Sequence, residues 1–239
     1  MKIRLANTEI SAWLWLGFPL LFLAFIVSVV LYDYELGSNM VAEENNLVEL
    51  GTVIVLIPGI ATGILCFRLR HLILSRRLIA WIMLVTAAGV YIAGEELSWG
   101  QQLFNWETPE KIQAINDQNE TNLHNISSWL DQKPRLLVEL WVLVGGIVLP
   151  LWRYSRRISY SPDSWRYWFW PDHVCLPAAT LAILVKVPER LRDNFDYRLF
   201  EHNVRYSELQ EFYIALFLSM YLYSFYIRLK KINLADKSG

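Results

Sequence analysis

Six apolar runs, separated by polar connections, set the organisation of this chain. They cover residues 11–32, 48–67, 78–94, 136–152, 168–187 and 209–227. A bilayer core of roughly 30 Å takes about 20 residues of helix at about 1.5 Å each. The pattern therefore predicts six transmembrane helices and an all-α, polytopic membrane protein, with 1–239 forming one bundle. The third run is short unless it continues through Glu95, Glu96 and Trp99, which would carry two carboxylates to the membrane rim. The fourth is short unless it begins near Pro134, a residue tolerated in a first helical turn. Pro58 should kink the second helix, and Gly145-Gly146 should permit close helix approach or a bend before Pro150. The first run follows Met1-Lys2-Ile3-Arg4 much as in a signal peptide, but it lacks a small-x-small cleavage site and reads as a retained helix.

Basic residues then orient the bundle. Lys2 and Arg4 precede the first run; Arg68, Arg70, Arg76 and Arg77 follow the second. Arg153, Arg156, Arg157 and Arg166 follow the fourth, and Arg228, Lys230, Lys231 and Lys237 follow the sixth. These alternate connections hold most of the basic residues, whereas residues 33–47 hold none. The positive-inside rule places both termini in the cytoplasm. The connection after the fifth run is mixed, with Arg190, Arg192, Arg198 and Arg205 against Glu189, Asp193, Asp196 and Glu201. The segment 95–134 becomes an extended, outward-facing part of the same domain, with a short helix starting at Pro109 behind Thr108 as N-cap.

Composition sharpens this picture in three ways. Charged residues make up 19% of the chain, against about 25% in soluble proteins. Eleven Trp, twelve Tyr and eleven Phe suit a protein that must anchor two wet interfaces in lipid. A net charge of -1 speaks against a nucleic-acid partner, since phosphate binding needs a basic surface. Cys66 and Cys175 fall inside apolar runs without Cys-x-x-Cys spacing, and read as packed thiols.

Candidate chemistry lies at the outer ends of the runs. Glu95 and Glu96 close the third; Glu120 and His124 are four apart, on one face if helical. Glu139 lies in the fourth run, Glu208 and Glu211 enter the sixth, and Glu43, Glu44 and Glu49 flank the second. Carboxylates packed together share protons or gather round a cation, and neutral His adds a ligand for zinc, iron or manganese. In that scheme Glu96, Glu120, His124 and Glu208 are metal ligands and Glu95 a catalytic base. Adjacent residues on a helix diverge by about 100 degrees, so Glu95 and Glu96 cannot both point at one centre. Simpler uses remain open: Glu208 and Glu211 suit a helix N-terminus, Glu139 can pair with Arg135, and the rest can solvate an interface. Asp172 and His173 fall at the other rim by this topology, and His71 reads as cytoplasmic surface.

Two resemblances attach to these residues. Glu95-Glu96-x-Ser98-Trp99-Gly100-Gln101, Trp106-x-Thr108-Pro109 and Asn122-x-His124-Asn125 resemble blocks in a group of uncharacterised bacterial multi-pass membrane proteins. That likeness covers about thirty residues in mid-chain and implies a bacterial membrane protein with no assigned activity. Glu95-Glu96 together with Phe169-x-x-x-His173 also resembles the glutamate-type intramembrane proteases of the CAAX-processing kind, although Gly100 stands where that pattern has arginine.

The leading functional expectation is a metal-assisted enzyme acting on a lipid or lipid-linked substrate at the outer rim. The partners this implies are membrane lipid and a lipid-like substrate. A small cation- or proton-coupled transporter is the first alternative, though it calls for acidic groups deeper in the bundle. An accessory or structural subunit of a membrane complex, which needs no chemistry, is the second.

Overall fold

The structure, a computed structural model, describes residues 10–42, 47–104, 128–197 and 206–238, and every regular element among them is helical. A π-turn at Trp13–Gly17 leads into α1 (Phe18–Tyr32), a short α2 (Tyr34–Ala42), α3 (Leu47–Arg68) and α4 (Arg76–Glu96). A 3-10 turn at Ser98–Gly100 and the one-turn α5 (Gln101–Phe104) follow. Next come α6 (Ser128–Trp141), a π segment at Val142–Val148 and α7 (Leu149–Arg156), which together make one long rod. The short α8 (Trp165–Phe169), then α9 (Leu176–Leu184), α10 (Val187–Phe195) and the 33-residue α11 (Tyr206–Ser238) complete the chain.

Among the described residues, five stretches are long and apolar enough to cross a membrane: Trp13–Tyr32, Leu47–Arg68, Arg76–Glu96, Arg135–Arg156 and Tyr206–Leu234. The third does run on to Glu96, and the fourth reaches full length by starting at Arg135. The fifth apolar run behaves differently. Pro171 has no N–H to give, the chain is extended at Trp170 and Asp172, and Asp172 caps a new start by accepting from Val174 N–H at 3.2 Å. Helix then continues from His173 to Phe195, but with a break at Val185 and Lys186, just before Pro188 withholds its N–H from the turn behind it. This jointed passage still connects the two ends of the bundle. Asp172 bonds Ser224 far along α11, whereas Arg190 reaches Glu139 near the start of the fourth crossing.

The bundle is built round α11. Of its best apolar window 78% is buried, against 11% for Trp13–Tyr32, so α11 is the axis and α1 a peripheral helix. Its main neighbours are α3, α4 and α9. The outer helices turn apolar side chains outward as well as inward: on α3, Leu50, Ile54, Ile57 and Ile64 are exposed while Val48, Val55 and Leu56 are buried. A helix apolar on all faces is at home in lipid. Hydroxyl groups in these helices are satisfied locally, as lipid requires: Thr52 donates to Val48 O at 2.9 Å and Thr86 to Ile82 O at 2.7 Å.

Small residues set the closest approaches. A Cβ on Gly59 would lie 2.6 Å from Ser219 Cα, so the backbones of α3 and α11 approach closely there. A Cβ on Gly146 would lie 2.6 Å from Ala179 Cβ and 2.7 Å from the Phe217 ring, which is the close packing expected of the glycine pair. Aromatic rings fill the space between. Trp81, Trp141, Phe217 and Tyr221 meet edge to face at 5.0–5.1 Å, and Trp81 Nε1 donates to Tyr221 Oη at 2.9 Å. Both cysteines are free and buried, as their positions implied.

Candidate metal centre

Three helix ends bring glutamates together. Glu49 lies in the first turn of α3, Glu208 in the first turn of α11, and Glu96 is the last residue of α4. Because α3 and α4 are antiparallel neighbours across the short turn 69–75, the start of one meets the end of the other. One carboxylate oxygen from each of Glu49, Glu96 and Glu208 lies within 4.8 Å of the others, and all three side chains are half-buried. Trans oxygens round a calcium-sized cation stand about 4.6–5.2 Å apart and round magnesium about 4.0–4.2 Å. The trio could therefore coordinate a divalent cation with little or modest contraction.

Local physics favours two of these carboxylates and opposes the third. Negative side chains in a first helical turn are stabilised by the N-terminal end of the helix dipole, which accounts for Glu49 and Glu208. Glu96 sits at the opposite, negative end of α4 and feels the charges of Glu211, Glu208 and Glu49. Glu211, one turn beyond Glu208 on α11, is a further carboxyl group close to Glu96 and is itself held by Arg135. Helix dipole and neighbours both oppose a negative charge at Glu96, and a bound cation would reverse that balance.

A frame of ion pairs holds the surrounding residues. Arg135 donates to Glu211 Oε1 at 2.7 Å and to Gln210 Oε1 at 2.8 Å, and reaches Glu139 Oε1 at 3.4 Å. Arg190 on α10 donates to Glu139 Oε2 at 2.7 Å. The fourth crossing, the jointed fifth and α11 are thereby tied together beside the trio. Arg135–Glu139 is the pair that the sequence spacing offered; the longer links to Glu211 and Arg190 are new.

The turn after Glu96 is unusual. Ser98, Trp99 and Gly100 all have positive φ, at 45°, 53° and 94°. Left-handed backbone costs about 1–2 kcal/mol for each residue with a Cβ. The turn folds Trp99 back over Gly94, and Trp99 Nε1 donates to Glu95 Oε1. Glu95 is thus 8% exposed and engaged with Trp99, while its neighbour Glu96 joins the trio.

Of the residues singled out from sequence, Glu96 and Glu208 meet in this structure, Glu95 lies outside the trio, and Glu120 and His124 lie outside the described residues. The helix expected after Pro109 lies outside them too, as do Glu43 and Glu44. Glu49 takes the third position. The topology had placed it at the right rim, but nothing ranked it above its acidic neighbours until α3 packed against α4. His173 is not part of this centre. It packs edge to face on Trp15 at 5.4 Å, next to Asp172, whose partner Ser224 is sixteen residues beyond Glu208 on α11, or about 24 Å. The paired-glutamate and histidine pattern of the proteases is therefore not assembled.

Comparison of the chain with protein-family models, with curated proteins and with solved structures finds no match.

Proposed function

We propose that the acidic end of the bundle faces the outside of a bacterial inner membrane and holds a divalent cation, with which the protein acts on a lipid or lipid-linked substrate. The observation that carries this reading is the convergence of Glu49, Glu96 and Glu208 from three helices onto one centre. Oxygen donors alone favour manganese, magnesium or calcium over zinc, so manganese suits the set best among the metals that the sequence pattern raised. A bound cation there supplies Lewis acidity and an activated water at neutral pH. Glu211, held by Arg135 at 2.7 Å beside the trio, would be the carboxylate available there to accept a proton. Leu47, Leu50, Leu136 and Leu137 are exposed at the same end, next to Glu49 and Arg135, and offer an apolar surface on which an acyl chain can lie beside the centre.

The test is lipid turnover. Purified protein in vesicles of phosphatidylethanolamine and phosphatidylglycerol, loaded with manganese, should convert a lipid species detectable by mass spectrometry, and chelator or Glu96→Gln should stop it. Metal bound without any metal-dependent lipid change would remove the enzymatic reading and leave a binding site.

The crowding of Glu49, Glu96 and Glu208 with Glu211 close by favours one second reading, a carrier that exchanges a cation for a proton, since packed carboxylates share protons or gather round a cation. Its signature is manganese uptake into vesicles with proton release, read by an internal pH dye. The centre sits at helix ends and not at mid-depth, where carriers place their sites, and for this reason we rank the enzyme first.

A further inference from the structure

The other end of the bundle contains a second charged centre that the acidic site does not use. Arg228 lies twenty residues beyond Glu208 on α11, about 30 Å along the helix and so at the opposite rim. It is only 2% exposed. Its Nε donates to Ser224 O at 3.3 Å and its Nη1 to Tyr167 O. The rings of Tyr167, Trp168 and Phe225 surround the guanidinium at 5.1–5.6 Å. Its Nη2 is buried and has no hydrogen-bond partner among the described residues.

Arg153, at the end of the fourth crossing, repeats the feature. Its guanidinium stacks on Tyr160 at 4.3 Å, its Nε is buried with no hydrogen-bond partner among the described residues, and it feels the charges of both Asp172 and Arg228. Two cations thus face one anion. Asp172 is itself committed to Val174 N–H through Oδ1 and to the Ser224 hydroxyl through Oδ2. Tyr167 adds no charge, because burial holds its phenol above the ordinary range against the opposing pull of Arg228. A buried guanidinium normally has each N–H answered and its charge balanced. Among the described residues a donor on each arginine is unanswered, and Arg153, Arg228 and Asp172 together carry one positive charge.

We propose that Arg153 and Arg228 form a binding site for a phosphate group at this rim. Two guanidinium groups match the oxygens of a phosphate in geometry as well as charge. The group could belong to a phospholipid of the adjacent leaflet or be free phosphate; the same donors would read either. The connection 158–164 covers the site: Tyr160 lies on Arg153, and Pro162 O accepts from Trp168 Nε1 at 2.7 Å. Binding exchanges the Tyr160 contact for charge-assisted hydrogen bonds. The site is independent of the acidic centre, so either can fail without the other.

The experiment is thermal unfolding of the full chain, purified in phospholipid-free detergent, titrated in one arm with inorganic phosphate and in another with phosphatidylglycerol in mixed micelles. Stabilisation by phosphate in the first arm identifies a free phosphate site; stabilisation only in the second identifies a headgroup site. Arg153→Gln, whose side chain is only half-buried, should weaken the effective ligand by about tenfold or more, the scale of a lost charged hydrogen bond. Arg228→Lys should do likewise, since it cannot present the fork. Arg166→Gln is the control, an exposed arginine at the same rim stacked on Trp165, and should leave binding unchanged. No stabilisation in either arm overturns the proposal. So does an equal loss from Arg166→Gln, which would mean diffuse attraction to a basic surface, or undiminished binding in both Arg153→Gln and Arg228→Lys.

Discussion

Gly59→Ala tests how the bundle holds the candidate metal centre together. A Cβ there would stand 2.6 Å from Ser219 Cα, 2.7 Å from its Oγ and 2.9 Å from its Cβ, whereas ordinary contact begins at 3.4 Å. The hydroxyl can rotate away but the Cα cannot, so α3 and α11 must part by about 0.8 Å, the difference between 3.4 and 2.6 Å. Overpacking of this kind costs about 3 kcal/mol at its upper range, and the better helix propensity of alanine returns about 1 kcal/mol. The net loss is about 2 kcal/mol, or about 4–8 °C in Tm for a chain of this size. The site should respond as well. Gly59 lies ten residues from Glu49, on the pair of helices that carry Glu49 and Glu208. Parting them takes oxygens now within 4.8 Å towards the limit that one cation can bridge. Fluorescence-monitored unfolding in detergent, with and without manganese, reads both effects. Gly89→Ala is the control: its Cβ would meet the flexible Ile60 Cγ1 at 3.3 Å, and it should change Tm little. A Gly59→Ala protein as stable as wild type, with undiminished stabilisation by manganese, would refute the reasoning.

Other outcomes follow from the same contacts. Arg135→Met removes the cation that joins Glu211, Gln210 and Glu139 and should cost about 1–3 kcal/mol, the half-exposed setting reducing the loss seen for fully buried pairs; urea unfolding checks it. Arg135→Lys should recover only part of that loss, because one ammonium cannot serve three acceptors in a plane. Carboxylates bind a cation only when ionised, so cation and proton compete for the trio: affinity should fall in acid and recover as pH rises, as measured by calorimetry. Cys66 and Cys175, both fully buried, should resist maleimide in the folded protein and react on unfolding, scored by mass spectrometry.

Much of the architecture was legible in the sequence because lipid imposes a length and an apolar surface on every crossing. Five of the six runs match long helices, and the extension through Glu96 was required by length alone. The start of the fifth run is displaced, because Trp168 and Phe169 belong to the short α8 that precedes the break. Trp168 is packed at the arginine end under Arg228, and the break belongs to Pro171 and Asp172. Of the site, the rim was legible from charge alternation, since crossings two, three and six all present their acidic ends to the same side. Partnership was not. Glu95 and Glu96 look equivalent in the sequence, and only the left-handed turn at Ser98–Gly100, which commits Glu95 to Trp99, separates them. Arg228 reads as one more basic residue after the last run; its burial depends on α8 folding over it, which no local pattern announces.

The central claim is that Glu49, Glu96 and Glu208 hold one divalent cation. Elemental analysis of the detergent-purified protein, prepared with manganese and without chelator, tests it most directly beside Glu49→Gln, Glu96→Gln and Glu208→Gln. Close to one metal per wild-type chain is expected, with a marked loss in each variant, all four remaining folded. Metal absent from the wild type, or retained equally in all three variants, would contradict it.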